Sequence, residues 1–233
     1  MSAILVSQRE SGLRTPSPAA SGRISCEEFL ALCERPEYAD RQLELDEGRL
    51  IVMPPAGELH GRQCAWIVAL LMDYARRTGG GVMCNDPGLL LSREPDTVRA
   101  PDLAYYRENV RLEEISPGLA KRLPELVVEV LSPSDRLGQV MRKVQQYLRA
   151  GIAMVWVVDG ESRNVTVYRT GREPRVLEEN EMLDGEDVLP GFTYAVAELF
   201  RLSGAATETQ QGQLVCGSQG SAIAENPAQG SRC

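Results

Sequence analysis

The run Leu126-Val127-Val128-Glu129-Val130-Leu131 constrains this chain more than any other stretch. A near-continuous apolar run of strand length marks a strand buried on both faces, and such strands occur where helices cover a sheet from two sides. One residue breaks the run. An isolated carboxylate at Glu129 would cost several kcal/mol, or would raise its pKa until it went neutral. Something must therefore pair with it: an arginine in a structural ion pair, or a cation held by several carboxylates.

The surrounding elements fit such a sheet. Ser25 with Glu28 forms a capping box that opens a short helix through Glu34. Leu43 to Met53 reads as a hairpin broken at Glu47-Gly48, with Leu43, Leu45, Leu50 and Val52 alternating with polar positions until Pro54-Pro55 ends it. Leu59 to Arg77 reads as a helix with Trp66, Leu70 and Tyr74 on one stripe, stopped by Gly79-Gly80-Gly81. Short strands follow near 82–84, 88–91 and 102–106. After the Glu129 run, Ser134-Asp135 starts a helix that ends at Ala150-Gly151. Ala153 to Val158 is a second buried strand, Val165 to Arg169 and 175–178 form a closing hairpin, and Val196 to Phe200 makes a last helical turn. This order predicts an α/β (α+β) architecture, a mixed central sheet flanked by helices.

Composition sets the limits. Residues 1–22 hold five Ser, and residues 204–233 hold five Gly, five Gln and five Ala without an aromatic residue. Neither stretch buries enough to offset its ordering entropy, so two disordered tails are expected around one domain over 23–203. Met1 to Gly22 shows no signal-peptide pattern, and no apolar run reaches the ~18 residues of a membrane span, so a cytoplasmic location is expected. The six cysteines (26, 33, 64, 84, 216, 233) contain no C-x-x-C and read as reduced thiols. His60 is the one histidine, which excludes zinc sites built on several histidines. The net charge of −8 argues against a broad basic surface for nucleic acid.

Three further residues bear on Glu129. Asp102 follows Pro101 and opens the strand Leu103-Ala104-Tyr105-Tyr106; by itself it could equally be a strand-start acid that satisfies local backbone donors. Glu44, between Leu43 and Leu45, by itself reads as part of a solvated strand face. Residues 23–203 contain 20 arginines and two lysines, Lys121 and Lys143. Lysine is a compact charge suited to proton transfer or to orienting a water. On its helix Lys143 falls about 40° from Tyr147, at the edge of the apolar face made by Val140, Val144, Tyr147 and Leu148, and from there its stem can pack on the sheet. Lys121 reads as surface. An acid at a strand start, an acid mid-strand and a lysine near the second acid together follow the logic of metal-dependent phosphodiester cleavage.

The stretches Leu43-Glu44-Leu45-Asp46-Glu47-Gly48, Pro54-Pro55 to His60-Gly61, Arg99-Ala100-Pro101-Asp102, Pro124 to Ser134, Lys143 with Tyr147 and Ala150-Gly151, and Val155-Trp156-Val157-Val158-Asp159 carry a resemblance. In this order they resemble the Uma-type restriction endonuclease family, a bacterial branch of the PD-(D/E)XK nuclease superfamily. The resemblance implies a restriction-endonuclease-like fold and a Mg²⁺- or Mn²⁺-dependent endonuclease acting on DNA. It implies that Asp102 and Glu129 bind the metal, with Glu44 joining them. The superfamily lysine would fall at Leu131, which can do no acid–base work; the family instead points to Lys143 on the following helix. His60 is a further family position, a phosphate contact or a helix-start packing residue, and Asp86 and Asp135 are lesser acid candidates. A homodimer is expected, because cutting two strands uses two sites.

Two other readings stand beside this one. The negative charge suits a catalytically silent nuclease fold used as a binding module, unless Arg62, Arg76, Arg77, Arg136, Arg142 and Arg149 line the cleft. A glycosidase could use Asp102 and Glu129 as its carboxylate pair, but gives Lys143 no role.

Overall fold

The computed structural model describes residues 22–109 and 111–201; residues 1–21, 110 and 202–233, which take in all but Gly22 of the two expected tails, lie outside the described residues. The first helix, α1 (Cys26–Cys33), starts on the expected capping box: the Ser25 side chain accepts from the Glu28 backbone, and the Glu28 carboxylate accepts from the Ser25 backbone. The chain then reverses at Glu47 and Gly48, whose φ values of 49° and 79° suit a two-residue hairpin turn. That turn joins β1 (Leu43–Asp46) to β2 (Arg49–Val52), with Leu45 opposite Leu50. The helix α2 (Glu58–Thr78) follows and ends on Gly79 in the left-handed conformation.

Four short strands come next: β3 (Val82–Asn85), β4 (Leu89–Ser92), β5 (Thr97–Arg99) and β6 (Leu103–Tyr106). The apolar run is β7 (Leu126–Val130), buried throughout. Helix α3 (Leu137–Ala150) leads to β8 (Met154–Asp159), then β9 (Asn164–Tyr168) and β10 (Arg175–Leu177) pair, and a small hairpin of β11 (Met182–Asp184) and β12 (Thr193–Ala195) precedes a 3₁₀ turn at Val196–Phe200. A six-stranded sheet runs β10-β9-β8-β7-β6-β3, and a four-stranded one runs β2-β1-β5-β4. β7 and β8 are parallel, with α3 as their crossover, while the other pairs in the six-stranded sheet are antiparallel. The sheet is therefore mixed, and α2 and α3 cover its two faces.

Strand periodicity sorts the core. Leu126, Val128 and Val130 pack with Ile67, Leu71 and Tyr74 of α2. Val127 packs with Val140, Val144 and Tyr147 of α3. By the same alternation Glu129 faces α3.

Three local expectations shift. The buried stripe of α2 is Ile67, Leu71, Tyr74 and Ala75, whereas Trp66 and Leu70 are half-buried at its margin, where the Trp66 indole donates to the Glu198 carbonyl. Helix α3 begins at Leu137 rather than at Ser134-Asp135, because the Asp135 carboxylate accepts from the Ser132 backbone at 2.7 Å and the Asp135 backbone donates back to the Ser132 carbonyl, closing a separate turn. Strand β5 and the β11–β12 hairpin lack the alternation and length that make a strand legible in sequence. Among the described residues Cys26, Cys33, Cys64 and Cys84 are free thiols, and no helix is long and apolar enough to cross a membrane.

Candidate active site

Because β7 turns Glu129 toward α3, that helix decides what the carboxylate meets. Lys143 lies just off the stripe of Val140, Val144 and Tyr147, so its stem runs along the sheet and its head arrives at the strand. Its Nζ is 3.4 and 3.3 Å from Glu129 Oε1 and Oε2, and 3.0 Å from Glu44 Oε1. One helical turn on, the Tyr147 hydroxyl donates to Glu129 Oε1 at 2.6 Å. Glu129 is thus paired with a lysine and a tyrosine, not with an arginine. Lys121, the other lysine, is exposed.

Glu129 is 7% exposed. Burial pushes its carboxyl up to about 7, with Asp102 and Glu44 adding to the push while Lys143 and the Tyr147 hydroxyl oppose it. For Lys143 burial works against the charged form, yet Glu129 and Glu44 outweigh it and raise the ammonium pKa. Burial beside Glu129 also raises the Tyr147 hydroxyl well above its ordinary value.

The Glu129 shift gives a pH prediction. A carboxyl with a higher pKa in the fold than in the unfolded chain takes up a proton on folding, so stability is present below the window and falls as pH rises through it. In metal-free buffer, the wild type should lose stability relative to Glu129→Gln between pH 4.5 and about 7, by on the order of 3 kcal/mol. Thermal or urea unfolding of both proteins across that window measures it, and parallel pH profiles would contradict it.

Glu44 is not on a solvated face: it is 1% exposed. Leu43 and Leu45 pack toward Cys26 and Phe29 of α1, so the alternate residues Glu44 and Asp46 turn the other way, toward α3. There Arg99, at the end of β5, spreads its guanidinium among three partners. It donates to Glu44 Oε2 at 2.8 Å, to Asp46 Oδ1 at 2.9 Å and to Gln146 Oε1 at 2.8 Å. The Ala100 backbone donates to Glu44 Oε1 at 3.2 Å, and Arg142 donates to both Asp46 oxygens. The sequence assigned no site role to Arg99, Asp46, Gln146 or the Tyr147 hydroxyl. The signal for Tyr147 was its place four residues after Lys143, on the same helix face.

Asp102 reaches the site by register. β6 and β7 pair Leu103 with Val128, so continuing the ladder sets Asp102 beside Glu129. Its Oδ2 accepts from the Val130 backbone at 2.7 Å, and its Oδ1 is 3.2 Å from His60 Nε2 near the start of α2. The hydrogen bond to Asp102, with a smaller contribution from Cys64, raises the His60 imidazole to about 10. Asp86 is exposed and accepts from Gln42, and its backbone donates to the Asp102 carbonyl. Asp135 sits in its turn at the mouth of a cleft of ≈ 110 Å³ lined by Glu44, Asp46, Arg99, Glu129, Asp135 and Lys143. The structure therefore gathers Glu44, Glu129 and Lys143 at one cleft, with Asp102 and His60 at the adjoining strand end.

A family model described as Uma2, putative restriction endonuclease, matches residues 26–197. The crystal structure of a putative nuclease belonging to DUF820 from Anabaena variabilis ATCC 29413 is similar over 76% of this chain and 97% of that one, with a TM-score of 0.64 and 21% identity. At that identity the likeness shows a common fold, and the mixed sheet covered by α2 and α3 is the restriction-endonuclease-like architecture. No curated protein is detectably similar in sequence. With the family match spanning residues 26–197, well over half of its length, the chain belongs to the Uma2 family of putative restriction endonucleases.

Proposed function

We propose that the protein is a Mg²⁺- or Mn²⁺-dependent endonuclease that hydrolyses phosphodiester bonds of DNA. One observation carries the reading: the buried Glu129, its carboxyl pushed up to about 7, shares a single lysine with the buried Glu44 in a cleft next to Asp102. Glu129 and Asp102 offer oxygen donors only, the hard set that Mg²⁺ takes. Glu129 and Asp102 would hold a divalent cation, whose charge would add to that of Lys143 in favouring the ionised Glu129 carboxylate. Glu44 has its oxygens committed to Arg99, Ala100 and Lys143, and would join the cation by giving up Lys143. When bound, the cation supplies Lewis acidity at the scissile phosphate and a water of lowered pKa.

The chain's own residues do the rest. Lys143 donates toward the attacking water and offsets charge on the phosphate. Tyr147 fixes the Glu129 rotamer through its short hydrogen bond, and Arg99 fixes Glu44. His60 keeps the Asp102 carboxylate oriented at the strand end. Asp86 and Asp135 stay outer acids. A homodimer acting on duplex DNA in the cytoplasm completes the reading.

A specific observation supports a second reading, the silent binding module. Three of the arginines expected at the cleft are already spent: Arg62 pairs with Glu58, Arg77 with Asp73, and Arg142 with Asp46 and Glu47. Incubation of supercoiled plasmid with Mg²⁺, with Mn²⁺ and with EDTA separates the two. The nuclease reading expects metal-dependent nicking by the wild type and none by Glu129→Ala. DNA binding without nicking in either metal would transfer the assignment to the binding module.

A further inference from the structure

We propose that His60, Cys64 and Asp102 form a second cation site, one for a thiophilic divalent ion of the Zn²⁺ class, joined to the oxygen-lined cleft through Asp102. His60 and Cys64 stand four residues apart on α2 and so share a helix face. That face meets the end of β6, where Asp102 waits. One donor atom from each residue lies within 4.8 Å of the others. His60 Nε2 is 3.2 Å from Asp102 Oδ1 and 4.0 Å from Cys64 Sγ. Ordinary zinc bond lengths in a tetrahedron put nitrogen and oxygen ligands ~3.4 Å apart and nitrogen and sulfur ligands ~3.6 Å apart, so the imidazole has to turn its Nε2 toward Cys64 for the three donors to close on one ion.

Burial suits the assignment. Cys64 is buried, whereas the His60 and Asp102 side chains are 14% and 17% exposed. Cys64 would supply the inner ligand, and His60 and Asp102 the solvent-side ones. Thiolate and imidazole donors select zinc-like ions and are poor partners for Mg²⁺. The neighbouring Glu44 and Glu129 offer oxygen donors only, the set that suits Mg²⁺. A nucleophilic thiol relay through the same residues fits less well. Cys64 Sγ is 3.7 Å from His60 Nδ1 and 4.0 Å from Nε2, nearly equidistant, and so is not in line with either nitrogen's lone pair.

Binding would displace protons from the imidazolium and the thiol, as metal binding to such ligands does. Its consequence rests on the nuclease reading: an ion held by His60 and Cys64 takes Asp102 away from the Mg²⁺ pocket. A zinc-class ion would then inhibit cleavage.

The test uses the full chain and Co²⁺ as the probe, because a cysteine thiolate bound to cobalt gives a charge-transfer band in the near ultraviolet. The expected result is a thiolate–cobalt band that saturates at about one equivalent and is displaced by Zn²⁺. It should vanish in Cys64→Ser, need on the order of tenfold more Co²⁺ in His60→Gln, and persist in Cys84→Ser and in Glu129→Ala. A wild type without the band, or a band that survives Cys64→Ser, overturns the proposal. Should Cys64→Ser fail to fold, His60→Gln decides, and unchanged Co²⁺ affinity there overturns it. In a second arm, Zn²⁺ should suppress Mg²⁺-supported plasmid nicking by the wild type and spare that of Cys64→Ser. Equal inhibition of both proteins overturns the link through Asp102. A wild type that shows the band and never nicks DNA defeats the nuclease reading alone and leaves the site standing.

Discussion

Lys143→Met should fold and should lose plasmid nicking by on the order of 10²-fold or more. The thioether keeps most of the stem packing along the sheet and removes the ammonium that lies 3.0 Å from Glu44 and 3.3 Å from Glu129. The stability cost is modest for a reason visible in the wild type. Burial already pushes the Glu129 carboxyl up to about 7, and removing Lys143 takes away the charge that opposes this push, which favours uptake of a proton over a stranded charge. Lys143→Arg keeps the charge but replaces a compact donor with a wide planar one. It should hold DNA about as well as the wild type and still lose about two orders of magnitude in rate. Lys121→Arg, at an exposed position, should change nothing. Gel analysis of nicked and linear plasmid, with thermal unfolding as the folding control, reads all three. Full nicking by Lys143→Met would remove Lys143 from the mechanism.

The largest stability effect is expected at Arg99. Its guanidinium is 3% exposed and is shared by Glu44, Asp46 and Gln146, which come from β1 and α3. Arg99→Met leaves Glu44 facing a buried site with one cation fewer, and breaking a buried pair from one side costs about 3–5 kcal/mol. Urea unfolding should show that loss. Arg99→Lys should recover only part of it, since an ammonium cannot span three partners from β1 and α3 at once. Removing the stranded charge as well, in the double variant Arg99→Met with Glu44→Gln, should restore stability relative to the sum of the single changes. Strict additivity would mean that Arg99 and Glu44 contribute independently. The same double variant should nick poorly, because Glu44→Gln takes a carboxylate away from the proposed cation site.

Several parts of the site are legible in the linear chain. The β7 run announces a strand covered on both faces, and an acid within it has to be compensated. The 3.6-residue period of α3 puts Lys143 at the margin of an apolar stripe, and a side chain at that margin reaches the sheet. These inferences need only local rules: alternation along a strand, periodicity along a helix, and the cost of burying a charge.

What the chain's linear order could not supply is which faces meet. Glu44 alternates with leucines, and that pattern fits a solvated face as well as a face turned toward a polar cluster. Only the packing of β1 between α1 and α3 buries it. Arg99 sits in a three-residue strand too short to show a period, so nothing local marks it as the hub of Glu44, Asp46 and Gln146. The neighbourhood of Asp102 depends on the β6–β7 register, and a slip of one residue would have turned it to the other face. His60 and Cys64 declare a shared helix face by their spacing, but that this face ends at Asp102 follows from how α2 lies on the sheet. The sequence by itself determined the strand, the helix and the need for a partner at Glu129. The tertiary structure decided the partners, because partner choice depends on register and on packing between elements far apart in the chain, and neither has a local signature.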